Sequence, residues 1–411
     1  MNPATDAATL ARAHAWLNER APGSRAFWFY DLDDISKRAA ELVRAFSPLG
    51  PRIAYALKAN GLPAIVRTLR EAGLHADAGS LGELELAAAC GFDAAHRTLS
   101  GNGRTPEEAA WAARHGVVAV SADTPDELGL LEQAAADSGS RLRVALRVNP
   151  GIVAGGHRHI STGHTASKFG MSAAQALATW GARARWPHLV VDGIHVHVGS
   201  QIDSVEPLLA TARAALELAT ESARRGTRLA SVNLGGGFGV DYADGSHGLD
   251  LAKHAEAILE LPGARDVRWC FEPGRWLVAR AGTLVAEVLW DKHRDDPDGE
   301  HRFVVLAAGM NDLLRPALYG ARHRIVALGV PGAASGVSAD VVGPVCESSD
   351  CFATGVPLPP LERGALVAIL DAGAYGAAMS SNYNGRGRLA EVVQVKGELQ
   401  LARAAGAARV S

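Results

Sequence analysis

The chain has 411 residues, 48% of them apolar, with a formal net charge of -3 at neutral pH. That length supports a large core and two domains, and the near-neutral balance gives no electrostatic case for nucleic acid or an anionic membrane. Four scattered cysteines without CxxC spacing argue against a disulfide framework or a zinc site. The N-terminus has no basic start with a long apolar run, and no stretch reaches the roughly 18 uninterrupted apolar residues of a membrane span, so a soluble cytoplasmic protein without a signal peptide is expected.

Residues 5–20 read as an amphipathic helix, Phe27-Trp28-Phe29-Tyr30 as a short aromatic strand, and Asp34 to Phe46 as a second helix. An alternation then sets in. Apolar runs of strand character end near Lys58, Gly79, Ser100, Ala122, Val148, Val198, Leu234 and Phe271. Helical stretches such as Leu81 to Cys90, Pro106 to His115 and Pro125 to Ala136 lie between them. Eight strand-helix units over about 220 residues predict an α/β fold built on one closed (β/α)8 barrel, although periodicity leaves an open doubly wound sheet as the alternative.

After Arg275 the helical alternation stops. Strand-like runs follow at Gly282 to Leu289, Arg302 to Ala307, Val341 to Val345, Ala365 to Leu370 and Glu391 to Val395. Asp291 to Glu300 and Pro357 to Arg363 read as turns between them. The expected organisation is a barrel over residues 34–280. A mostly β domain takes residues 281–411, and the early strand near Phe27 is assigned to it with residues 1–33.

Lys58 is the first candidate for chemistry. It ends an apolar run and is followed by Asn60-Gly61, which points its amine out of the mouth of a sheet, where it can form a Schiff base with an aldehyde. In Asn233-Leu234-Gly235-Gly236-Gly237-Phe238-Gly239, three consecutive glycines let backbone N–H groups converge on an oxyanion. Counting strands places Gly235 to Gly237 after the seventh barrel strand and Glu272-Pro273-Gly274-Arg275 after the eighth, where barrels commonly bind phosphate. Glu272 could pair with a protonated heterocyclic nitrogen, and Arg275 could bind phosphate or a substrate carboxylate.

Alternation puts His195 and His197 on one face of the sixth strand. They could be metal ligands, but no third ligand with suitable spacing is apparent. Stacking of one ring on a planar cofactor, with the other a satisfied core histidine, is the more economical reading. Cys346 beside Glu347, in Gly343-Pro344-Val345-Cys346-Glu347-Ser348, reads either as a structural thiol or as a nucleophile or proton donor.

These motifs, in order, are similar to those of the fold type III, pyridoxal-phosphate-dependent decarboxylases, and most of all to the diaminopimelate decarboxylase branch of a family that also holds ornithine and arginine decarboxylases. The resemblance runs from about Phe27 to Val395. It rests on Tyr55-Ala56-Leu57-Lys58-Ala59-Asn60, Arg147-Val148-Asn149-Pro150, Ser161-Thr162-Gly163-His164 and Ser167-Lys168-Phe169-Gly170. Further matches are Gly193 to Ile202, the glycine loop, Glu272 to Arg275, Arg315 to Tyr319, Cys346-Glu347-Ser348 and Gly373-Ala374-Tyr375-Gly376.

The resemblance implies that Lys58 joins covalently to pyridoxal 5'-phosphate and that His197 stacks on its ring. Ser200 and Gly235, Gly236 and Gly237 would hold the phosphate, with Gly274 and Arg275 beside them, and Glu272 the ring nitrogen. A racemase of this fold usually has arginine at that place, so Glu272 favours decarboxylation. Arg275, Arg315 and Tyr319 would grip the far carboxylate of the substrate, Glu347 its far amine, and Tyr375 would close over the cofactor. Cys346 would return a proton to the carbanion. The implied reaction is decarboxylation of meso-2,6-diaminopimelate to L-lysine, in a homodimer that borrows the Cys346 loop and Tyr375 from its partner.

Three segments depart from the family pattern: Ala307-Ala308-Gly309-Met310-Asn311-Asp312, where an acid is lost, Ser80-Leu81-Gly82-Glu83, and Asn384 to Leu389 without its usual prolines. They leave two alternatives, a paralogue acting on a related carboxylate-bearing amino acid in siderophore or antibiotic assembly, and a catalytically silent regulatory homologue.

Overall fold

The computed structural model describes residues 6–149, 151, 168–242, 249–296, 299–329 and 338–406. Pro150, the Ser161 to His164 motif and Ser167 lie outside the described residues. The described residues fall into two compact units, one within Lys37–Val240 and His247–Trp276, the other within Met1–Ser36, Asp241–Ser246 and Leu277–Ser411. Among them no helix is long and apolar enough to cross a membrane.

Preceding the barrel are α1 (Ala7–Arg20), β1 (Ala26–Asp31) and α2 (Leu32–Phe46). The barrel strands are β2 (Arg52–Ala56), β3 (His75–Ala78), β4 (Arg97–Leu99), β5 (Ala119–Ala122), β6 (Leu142–Arg147), β7 (Leu189–His195), β8 (Ser231–Asn233) and β9 (Arg268–Phe271). Each pairs in parallel with the next, and β9 returns to β2 through the register Arg52↔Cys270 and Ile53↔Phe271. The expected closed barrel is therefore present, and the open sheet is excluded.

The intervening helices include α3 (Pro63–Glu71), α4 (Leu81–Ala89), α5 (Pro106–His115), α6 (Glu127–Asp137), α7 (Ala173–Gly181), α8 (Val205–Arg224) and α9 (Leu251–Leu259). Their ends follow from local chemistry. Helix α5 starts on a Thr105–Glu108 capping box with Pro106 in its first turn, carries Arg114 and His115 in its last, and stops at Gly116. Phe46 from α2 packs against Phe271 of β9 with ring centroids 4.6 Å apart, and against Phe238 at 5.8 Å. This aromatic contact anchors the chain beside the glycine loop.

After α10 (Arg275–Val278) come β10 (Gly282–Asp296), β11 (Gly299–Leu306), α11 (Arg315–Tyr319), β12 (Ile325–Ala327), β13 (Ser338–Val342), β14 (Cys351–Pro357), β15 (Leu366–Ile369), β16 (Ala390–Val395) and β17 (Glu398–Arg403). The strands pair in the order β14-β13-β11-β10-β1-β16-β17, with β15 on β10 and β12. Helix α1 lays Leu10, Ala13 and Leu17, at helical spacing, on a core containing Phe27, Phe29, Val285, Ala368 and Val392. The early aromatic strand thus joins the β-rich unit, between β10 and β16.

One boundary expectation was wrong. Asp291 to Glu300 is largely a hairpin, with Lys292 opposite Phe303 and His293 opposite Arg302. Asp291 and Arg302 form an ion pair with little exposure, while Lys292, His293, Arg294 and Asp295 stay exposed. Arg302 forks onto Asp291 at 2.9 and 2.7 Å, and Lys292 and Arg294 lie over the Phe303 ring. Strands β12, β14 and β17 had no counterpart in the sequence reading, because β12 spans only three residues and β14 and β17 each carry several exposed ones.

Candidate active site

The barrel unit gathers its polar residues where the strands end. Strand β2 stops at Ala56 and a single 3-10 turn, Leu57–Ala59, carries Lys58 with an exposed side chain. That turn is held by a buried frame: Tyr55 Oη donates to the Asn60 carbonyl at 2.8 Å, and Asn60 Oδ1 accepts the Leu62 amide at 3.0 Å. The charge of Lys58 acts on Asp77, His195 and His197, which places all three around it.

Glu272, just past β9, is buried and held by donors. Asn233 Nδ2 donates to its Oε1 at 2.6 Å and Ser100 Oγ to the same oxygen at 3.2 Å. Asn233 Oδ1 in turn accepts the Gly235 amide at 2.8 Å, and the Glu272 amide donates to the Gly235 carbonyl at 2.7 Å. The acid and the glycine loop are one hydrogen-bonded assembly. On its other side Glu272 Oε2 lies 3.4 Å from His195 Nε2, while His195 Nδ1 is 2.6 Å from Ser121 Oγ. Burial, with Arg147 and Lys58 nearby, holds His195 well below the usual histidine range. A neutral ring with its proton on Nε2, taking the Ser121 hydroxyl at Nδ1, fits that geometry.

His197 lies two residues beyond the end of β7, and like His195 it is within reach of the charges of Lys58 and Arg147. Its ring rests against Gly235, where any Cβ would collide with it. Burial and the charges of Lys58 and Arg147 keep it neutral. The other two glycines are required by similar close approaches. A Cβ on Gly236 would meet the Glu272 carbonyl, and one on Gly237 would meet the Gly199 carbonyl. Gly274 sits tightly over Ala56 and Ala59, and buried Arg275 donates from Nη2 to Ser200 Oγ at 3.1 Å. Lys58, His197, Ser200, Gly235, Gly236, Gly237, Glu272, Gly274 and Arg275 therefore all belong to the strand-end rim of the barrel unit.

Sequence reasoning gave no role to Asp77, Ser100, Ser121, Arg147 or Asn233. Asp77 is buried at the end of β3, within 3.4 Å of Thr98 Oγ1; burial and then Glu272 push it up to about 7 against the opposing pull of Lys58. Arg147 lies 3.6 Å from Asp123 and over the Phe169 ring. The available signal was position: each is a polar residue at or next to the C-terminal end of a barrel strand.

The other predicted residues are in the β-rich unit. Arg315 and Tyr319 share α11, with Arg315 buried and Tyr319 half-buried. Cys346 and Glu347 are exposed on a loop fixed by buried Asp350, whose carboxylate accepts the Met310 and Val345 amides, each at 2.6 Å. The Cys346 amide donates to Asn384 Oδ1 at 3.1 Å, which ties that loop to the Asn384 to Leu389 segment. Tyr375 has φ +58, a left-handed conformation that costs a non-glycine residue on the order of 1–3 kcal/mol and concentrates at functional sites. Within two of the departing segments, Ser80 caps α4 and Asp312 accepts the Gly309 amide at 3.0 Å.

Residues 32–279 match the family described as pyridoxal-dependent decarboxylase, pyridoxal binding domain. The chain belongs to the pyridoxal-dependent decarboxylases. It is 39% identical over 359 residues to the diaminopimelate decarboxylase of Neisseria meningitidis serogroup B, covering 87% of this chain and 85% of that one. It is 41% identical to the Pseudomonas fluorescens diaminopimelate decarboxylase over 342 residues, 83% of this chain and 80% of the other. The structure matches that of Helicobacter pylori diaminopimelate decarboxylase complexed with L-lysine at a TM-score of 0.88 and 33% identity, covering 96% and 97% of the two chains.

A pyridoxal-dependent decarboxylase needs pyridoxal 5'-phosphate, and the rim fits that group. It offers a primary amine at Lys58, a buried carboxylate at Glu272, a neutral flat ring at His197, and glycines whose backbone leaves no room for side chains.

Proposed function

We propose that this decarboxylase converts meso-2,6-diaminopimelate to L-lysine and carbon dioxide, using Lys58, Glu272, His197 and the glycine loop to hold its cofactor. The observation that carries the substrate assignment is identity of 39% and 41%, over most of the chain, to proteins named diaminopimelate decarboxylase. Bound at the rim, pyridoxal phosphate supplies a ring that accepts the electron pair released with carbon dioxide.

The chain's own residues do the rest. Lys58 would hold the cofactor by its aldehyde through the side-chain amine. Glu272, oriented by Asn233 and Ser100, holds a proton at the ring nitrogen and so strengthens the electron sink. Neutral His197 stacks without adding charge. Gly236 and Gly237 with Ser200 would donate to the phosphate, Gly235 would give the His197 ring its close approach, and Arg275, bonded to Ser200, adds its cation at the same rim.

Arg275, Arg315 and Tyr319 bind the substrate's distal carboxylate. An arginine fork matches a carboxylate in two hydrogen bonds and rejects the bare ammonium end of a simple diamino acid. Glu347 reads the distal amine, Tyr375 closes the site, and Cys346 delivers the proton to the carbon that has lost its carboxylate. In this reading the Cys346 loop and Tyr375 complete the site from the partner copy of a cytoplasmic homodimer. The test is a substrate panel: kcat/KM for meso-diaminopimelate should exceed that for L-ornithine and L-lysine by about a hundredfold or more. Equal rates on all three would refute the assignment of the distal site.

A further inference from the structure

Arg315 is held by a histidine that no motif singles out. His323 is buried, four residues past α11 and just ahead of β12. Its Nδ1 lies 3.0 Å from the Leu370 carbonyl, which can only accept, so Nδ1 carries the proton. In a neutral ring Nε2 then has a free lone pair, and it lies 3.0 Å from Arg315 Nη1, which can only donate. The two contacts together define one tautomer and one charge state. A protonated ring would turn a second N–H toward a guanidinium of the same charge.

The ring itself is fixed from three sides. Tyr242 meets it edge-on with centroids 5.3 Å apart, and the same Tyr242 face lies 4.8 Å from Arg315 Cζ. The Leu370 amide donates to the Arg324 carbonyl at 2.8 Å, extending the antiparallel pairing of β12 and β15 past both strands. Arg324 forks onto Asp371 at 2.8 and 3.0 Å. His323 therefore rides on a rigid frame, facing the cation of Arg315 and the phenol of Tyr242, with the Arg324–Asp371 ion pair alongside. A carboxylate in this place would orient Arg315 but cancel its charge. A neutral imidazole orients the fork without bringing a negative charge of its own to it.

We propose that His323 is a positioning residue for the distal carboxylate of the substrate, acting through Arg315 as a neutral hydrogen-bond acceptor. This rests on the reading of Arg315 as a carboxylate-binding residue. The experiment is steady-state kinetics on meso-diaminopimelate with the pyridoxal-phosphate-loaded enzyme and the variants His323→Asn, His323→Gln and Arg315→Ala. Asparagine keeps a donor near the Leu370 carbonyl but loses the acceptor for Arg315, whereas glutamine reaches the Nε2 place with an acceptor. His323→Asn should raise KM by about tenfold or more with kcat within about threefold, and His323→Gln should restore KM to within about threefold of the parent.

Asparagine and glutamine variants with the same KM would overturn the proposal, since a merely structural role does not separate them. If Arg315→Ala leaves KM unchanged, the reading of Arg315 fails first and independently of His323.

Discussion

Asp77 is buried within reach of the charge of exposed Lys58, and stability should record that burial. Burial and Glu272 raise the Asp77 carboxyl to about 7, so between its ordinary value of 3.8 and 7 the folded chain keeps a proton that the unfolded chain has lost. Folding is then progressively penalised as pH rises through that window, and the penalty stays constant above it. Asp77→Asn should therefore gain Tm relative to the parent between pH 5 and pH 8, measured on the cofactor-free protein; a difference that does not change with pH would contradict the placement. For Cys346, the expected result of Cys346→Ala is a loss of turnover of about 10²–10⁴-fold with cofactor loading unchanged, read by stopped assays and absorbance. Residues of this kind differ in how visible they were. Lys58 and the three glycines stand out only together, because a strand-end lysine alone is usually solvated and a glycine run alone is often a tight turn. Asp77, Asn233 and His323 do not, since each looks like an ordinary strand-edge polar residue until its partners are known.

The glycine loop works as an element because its backbone is pressed against the Glu272 and Gly199 carbonyls. Gly236→Ala should push the loop away from Glu272, lowering Tm by several degrees and weakening pyridoxal phosphate binding by about tenfold or more, measured by fluorescence titration. Helix α9 carries a different liability. His254 is buried among Phe46, Phe238 and Phe271, and both ring nitrogens lack a hydrogen-bond partner among the described residues. Burial lowers it to about 4, so stability present above 6.5 is lost as pH falls toward 4, by about 3 kcal/mol at most. His254→Phe should accordingly raise Tm more at pH 5 than at pH 8, and an equal change at both would show that the ring does not titrate with unfolding. Elements with a strong period were legible in advance: all eight barrel strands ended within a few residues of their expected ends, and α5 matched end to end. The hairpin at Asp291 to Glu300 was not, because its run of exposed charges reads as a turn and only backbone pairing of β10 with β11 makes it strand.

At the scale of the whole molecule, one fold class was readable from alternation alone, but closure of the barrel depended on the pairing of β9 with β2, which no local pattern contains. The assembly proposed for this decarboxylase makes its own prediction. If each site combines Lys58 of one copy with Cys346 of the other, mixing inactive Lys58→Ala and Cys346→Ala proteins should restore about a quarter of parental activity in a two-fold dimer with random exchange of subunits. No recovery after verified exchange would place both residues in sites formed within one chain. The central claim is tested most directly by giving the pyridoxal-phosphate-loaded protein meso-diaminopimelate and measuring L-lysine and carbon dioxide, with Lys58→Ala as control. The account predicts equimolar lysine and carbon dioxide from the parent and neither from the variant at a comparable rate. A parent protein with normally bound cofactor, a Lys58-dependent absorbance band and no lysine would contradict it.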